Sequence, residues 1–122
     1  MCYTVIPTPQ FQKDIKFYIK KKHYTNIVDD ITPVIKEMEQ GIFKGDPIPD
    51  VHIKNSDNHS YKVRVANSNT NVGTSNGYRI IYYVIKDDKE VYLLTIYYKK
   101  DGNRIPSKSE LAYIIERYCN NV

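Results

Sequence analysis

Tryptophan is absent from the 122 residues, and cysteine occurs only twice, as Cys2 and Cys119. Two thiols near opposite ends could meet in a sheet-to-helix contact, but unbridged cysteines in a cytoplasmic protein are the expectation. No apolar run approaches the roughly 20 residues needed to cross a bilayer, which excludes a helical membrane span. The opening MCYTVIPTPQ lacks both the basic segment and the apolar stretch of a signal peptide. The three histidines, His23, His52 and His59, are scattered over a helix end and a loop. They read as solvated residues rather than ligands, so neither a metal nor a cofactor is expected. No internal repeat is present.

Tyrosine, by contrast, occurs twelve times. That imbalance suits a sheet, and tyrosine rings can also stack on bases. The composition, 41% hydrophobic and 26% charged, is that of a soluble globular chain, and residues 1–122 are read as a single domain. A net charge of +4 and a pI near 8.9 permit an anionic partner without demanding one.

Tyr3 to Ile6 is a short β-like run ending at Pro7. Thr8 can cap a helix with Pro9 in its first turn. Phe11, Ile15, Tyr18 and Ile19 then recur at helical spacing, and Lys13, Lys16, Lys20, Lys21 and Lys22 make the outer face basic. A second helix is expected from about Asn26 to Gln40, with Ile27, Ile31, Ile35 and Met38 inward and Gly41 as its stop. Pro33 either kinks it or marks a restart capped by Thr32. Ile42 to Ser60 reads as a long loop, and YKVRVA restores a strand with Tyr61, Val63 and Val65 on one face, Lys62 and Arg64 on the other. SNGYRIIYYVI and EVYLLTIYY are two more strands, and SKSELAYIIERY is a final helix with capping-box spacing at Ser107 and Glu110. The expected order is β-α-α-β-β-β-α, an α+β domain with a largely antiparallel four-stranded sheet, an N-terminal helical hairpin and a C-terminal helix.

Arg79 stands near the start of the apolar strand SNGYRIIYYVI, where an apolar residue would serve a sheet better. Hairpin topology gathers Lys62, Arg64, Arg79 and Lys99 at one end of the sheet. A three-residue KDDK turn, Asp87 to Lys89, would set Arg79 opposite Tyr97 and on the face of Thr95 and Lys99. A two-residue turn would send Lys99 to the other face. The three-residue register is the expectation. Cations beside tyrosines, with no carboxylate partner on their strands, form a site for a polyanion.

In order and spacing, Y-K-V-R, G-Y-R-x-I-Y-Y, x-Y-L-L-T-I-Y-x-K and S-x-x-E-L resemble the RelE/ParE superfamily of toxins. The likeness is nearest to the RelE-like, HigB-type branch of type II toxin–antitoxin modules, and FQKDIKFYIKKK and EMEQGIFKGDPI resemble that branch's helical hairpin. The resemblance implies a RelE-like fold and a metal-independent, ribosome-dependent mRNA endoribonuclease that inhibits translation. Such a toxin cuts A-site mRNA by 2′-OH attack on the adjacent phosphate, leaving a 2′,3′-cyclic phosphate. Partners would be a helix-turn-helix, HigA-like antitoxin, mRNA and 16S rRNA of the 30S A site, with no membrane.

By the same resemblance, Arg79 would grip the scissile phosphate, Lys62 and Arg64 would be basic catalytic positions, and Lys99 would protonate the leaving oxygen. Arg64 suits charge stabilisation rather than general-base work, because its pKa is too high to give up a proton. Lys62, Tyr97 or Tyr98 would then accept the proton. Tyr97, Tyr98 and Lys100 are read as substrate contacts, and Lys13, Lys16 and Lys20 as rRNA contacts. A base-stacking tyrosine after the last strand has no match, and Ile105 falls near its place. The alternatives are a ParE-like toxin that inhibits DNA gyrase by protein contact, and an inactive relative that only binds its antitoxin.

Overall fold

A computed structural model provides the structure and describes residues 2–48 and 58–119. His52 and part of the expected long loop lie outside the described residues. The chain runs through β1 (Thr4–Pro7), α1 (Pro9–Lys20), α2 (Ile27–Glu39), β2 (Asp46–Pro47), β3 (Asn58–Val65), β4 (Tyr78–Ile85), β5 (Glu90–Tyr98) and α3 (Lys108–Tyr118). It is an α+β arrangement.

The helix starts follow local chemistry. The Thr8 side chain accepts from the Phe11 N–H, with Pro9 in the first turn where its missing donor costs nothing. Pro33 lies inside α2 without ending it. Gly41 stops that helix region at φ +81, a conformation other residues adopt only with strain. Both halves of the Ser107–Glu110 capping box are formed at the start of α3.

The sheet has five strands in the order β1-β5-β4-β3-β2, with β1 parallel to β5 and the other pairs antiparallel. This corrects the expectation of four. The additional strand is two residues, Asp46 and Pro47, paired with Lys62 and Tyr61. Such a short piece containing proline has no hydrophobic alternation, so nothing in its sequence marks it. β3 also begins earlier than expected, at Asn58, which places His59 in a strand rather than a loop.

The turn between β4 and β5 supplies a second correction. Ile85 pairs with Glu90, so the connection is Lys86 to Lys89 and not a three-residue loop. On its own that register would put Lys99 on the wrong face. A bulge restores it: Tyr82 pairs with Leu93 but Ile81 with Thr95, leaving Leu94 as the extra residue. Arg79 therefore does face Tyr97, by a different route.

Alternate residues of the strands serve two cores. Tyr78, Ile80, Tyr82 and Val84 face α1 and α2 with Phe11, Tyr18, Ile27 and Met38. Ile81, Tyr83 and Ile85 face α3 with Leu111, Ile114 and Ile115. β1 reaches along β5 only to Leu93, and beyond it α1 completes the strand's edge with side chains. Thr8 Oγ1 donates to the Leu93 and Leu94 carbonyls at the bulge, 2.8 and 3.2 Å away. Asp14 accepts from the Ile96 N–H at 3.2 Å, and the Tyr18 hydroxyl accepts from the Tyr98 N–H at 2.7 Å. An edge left open there would invite pairing with another chain.

Candidate functional site

Arg64, Arg79 and Tyr97 lie directly opposite one another on β3, β4 and β5. Paired residues share a face, so these three and Lys62, two positions along β3, all project on the side of α3. Lys99 follows just past the end of β5. None of the four cations makes an ion pair with a carboxylate among the described residues. A shallow cleft of about 360 Å³ is bordered by Lys62, Arg64, Thr74 and Asp46.

Arg79 is only 7% exposed. Its Nη1 donates to the Thr74 carbonyl at 3.1 Å and the Tyr78 carbonyl at 3.4 Å, and its Nη2 donates to the Ser75 carbonyl at 2.9 Å. Lys99 Nζ donates to the same Ser75 oxygen at 3.1 Å, with Asn76 Oδ1 at 3.5 Å. Burial, then the Arg64 charge, lower the Arg79 pKa from its ordinary value. An arginine so placed still holds its proton at neutral pH.

The tyrosines depart from the sequence expectation. Tyr97 is 4% exposed and packed with the residues facing α3, so its ring offers no open stacking platform. Burial raises its pKa, partly offset by Arg79, and at neutral pH it is a phenol that cannot accept a proton as a base. Tyr98 points the other way, among Tyr24 and Tyr78, and its hydroxyl donates to Thr70 Oγ1 at 3.2 Å. Period-two alternation puts neighbouring residues on opposite faces, so Tyr98 is corrected from substrate contact to core. Lys100 is exposed in the turn after β5, and Lys13, Lys16 and Lys20 are exposed on the outer side of α1.

Two groups escaped the sequence reading. The first is the 3-10 turn Thr74–Asn76, whose carbonyls hold Arg79 and Lys99. The second is Asp14, 2% exposed, whose carboxylate accepts from Thr95 Oγ1 at 2.5 Å and from Arg104 Nη2 at 2.8 Å. A lone acid between Phe11 and Tyr18 on an apolar stripe was the available signal. Beside it lies a cleft of about 250 Å³ that Gln10, Asn103 and Ile105 also border.

No family model matches the chain, and no curated protein does. A solved structure of an E. coli toxin RelE mutant in the free state is similar over 97% of this chain and 99% of that one, at 14% identity and a TM-score of 0.44. A likeness that slight carries no inference about what this chain does.

Proposed function

We propose that the protein is a toxin of a type II toxin–antitoxin module, of the RelE-like HigB-type branch, acting as a ribosome-dependent mRNA endoribonuclease. The observation that carries this reading is the row of Lys62, Arg64, Arg79 and Lys99 on one face of the sheet, unpaired with carboxylates among the described residues. In this reading Arg79 and Lys99 hold non-bridging phosphate oxygens, and Arg64 offsets charge on the phosphorane. The substrate 2′ oxygen forms the new bond to phosphorus while the bond to the 5′ oxygen breaks. A cyclic 2′,3′ phosphate and a free 5′-OH result. With Tyr97 a phenol and Tyr98 in the core, Lys62, acting as the neutral amine, is the remaining candidate to take the 2′-OH proton, and the Lys99 ammonium gives one to the departing oxygen. A cognate helix-turn-helix, HigA-like antitoxin and the 30S A site are the proposed partners, with Lys13, Lys16 and Lys20 toward 16S rRNA.

A non-catalytic reading, in which the chain binds gyrase or only its antitoxin, is favoured by the burial of Arg79 and its three bonds to carbonyls. In vitro translation with toe-printing separates the readings. Cleaved mRNA on ribosomes supports the nuclease. Intact mRNA with gyrase-linked DNA breaks, or with neither effect, refutes it.

A further inference from the structure

Arg79 and Lys99 converge on one backbone oxygen, that of Ser75. Two cationic donors aimed at a single neutral acceptor is an arrangement suited to an anion, since charge-assisted bonds to an ionised oxygen are roughly twice as strong as those to a carbonyl. Apart from the same two cations, which also reach the Thr74 carbonyl and Asn76 Oδ1, the turn has little to hold it. Thr74, Ser75 and Asn76 are all exposed, none of them is buried, and the turn's own backbone bond, Asn76 N–H to the Gly73 carbonyl, is 3.3 Å long. Its two ends differ. Gly77 is fixed, because a Cβ there would meet the Val65 carbonyl at 2.1 Å, and the Gly77 carbonyl accepts from the Lys99 N–H at 3.0 Å. Gly73 stands in open space, with nothing within 4 Å of where a Cβ would be.

We propose that the Thr74–Asn76 turn is a displaceable latch, its Ser75 carbonyl occupying the position of a phosphate oxygen between Arg79 and Lys99, so that an entering phosphodiester must swing the turn away about Gly73. This rests on the proposed phosphate site and adds to it a resting state in which that site is filled by the protein itself. The latch also offsets the repulsion between the two cations while no anion is bound. Ligand affinity is then set by the difference between closing on the turn and closing on phosphate.

The test uses the whole chain and inorganic phosphate, followed by a short RNA with a 2′-deoxy block at its scissile position. Serine labelled with 13C at the carbonyl and asparagine labelled with 15N together mark two peptide bonds, Ser68–Asn69 and Ser75–Asn76. The Ser75–Asn76 signal should move along the same titration curve as the Arg79 and Lys99 side-chain resonances, with Ser68–Asn69 unmoved. Gly73→Ala, at φ −78 and with room for its methyl, reduces the freedom of the opened turn. It should weaken phosphate binding by roughly twofold to fivefold, the scale of the entropic effect of Gly to Ala at a compatible site. Arg79 and Lys99 responding while Ser75 stays still, or Gly73→Ala binding as tightly as wild type, overturns the latch and leaves the phosphate site standing. If no resonance responds to phosphate or to RNA, the site and the latch fall together.

Discussion

Asp14→Ala is the substitution whose cost the structure defines best. The carboxylate is buried and accepts four bonds, from Gln10 Nε2 at 3.0 Å, Thr95 Oγ1 at 2.5 Å, Ile96 N at 3.2 Å and Arg104 Nη2 at 2.8 Å. Its removal leaves them unequally placed. The Thr95 hydroxyl can turn, and the Gln10 amide reaches water. The Ile96 N–H, at the sheet edge, loses its acceptor and with it about 1–3 kcal/mol. The Arg104 side chain is 26% exposed and stays over the Phe17 ring at 3.9 Å, so solvent screens part of its unpaired charge. Breaking a buried pair from one side typically costs about 3–5 kcal/mol, and this partial exposure argues for the lower end, about 3 kcal/mol. For a chain of this size that is on the order of 10 °C in Tm. Urea denaturation of wild type, Asp14→Ala, Arg104→Met and the double variant checks it, with a coupling of about 1–3 kcal/mol expected between the two sites. A loss below about 1 kcal/mol for Asp14→Ala would refute the view that this carboxylate substitutes for a neighbouring strand.

Arg79→Ala should reduce mRNA cleavage on ribosomes by about a hundred- to a thousandfold, and it should also lower Tm by several degrees, because two bonds to the turn and one to the Tyr78 carbonyl go with it. Full toxicity in cells would remove Arg79 from the site. Arg64→Lys should retain most single-turnover activity, whereas Lys99→Arg should bind ribosomes normally yet cleave slowly, and an unchanged pH profile in Lys99→Arg would reduce Lys99 to an electrostatic contact. Charge reversal at Lys16 and Lys20 should weaken ribosome binding and flatten its salt dependence, and unchanged binding would mark that helix face as merely solvated. Stability should fall in alkali. Burial raises the pKa of Tyr18, Tyr78 and Tyr82, and pushes Tyr92 and Cys119 up to about 12. Above the unfolded tyrosine pKa of about 10, the unfolded chain releases protons that the native chain keeps. The tyrosine contributions are whole below that pH, that of Cys119 below its ordinary thiol value of about 9, and all are lost as pH rises through the native values. Phenolate absorbance and Tm measured together from pH 8 to 12 test it, and native titration of every tyrosine near 10 would contradict it.

The helices were legible because their signals are local. Thr8-Pro9 at one start, Ser107 with Glu110 at another and Gly41 at a stop each act within a single turn of chain. The cation row was legible too, since Arg64, Arg79 and Tyr97 align once the strands pair in order. What was not legible depends on partners distant in sequence. The Leu94 bulge is stabilised by Thr8, and the β2 strand exists only because Lys62 and Tyr61 accept it. The expected turn was wrong and the register right for this reason: one irregularity offset another. Nothing local distinguishes Tyr98 from Tyr97, because two adjacent tyrosines have one composition and two faces.

The parallel pairing of β1 with β5 has a consequence for the order in which the molecule can be made. Thr4 lies beside Glu90, and Thr8 bonds to Leu93, 85 positions away. β1 and α1 therefore leave the ribosome long before the strand that accepts them. Closing so long a loop has to precede its reward, which slows folding. During that wait α1 has no edge to cover, and the apolar sides of both cores are exposed to solvent. Lys99 joins Arg79 only when β5 is in place, so the cation row is completed in the same step that closes the sheet. A chain halted before that strand would carry Lys62, Arg64 and Arg79 without the arrangement that brings them together with Lys99.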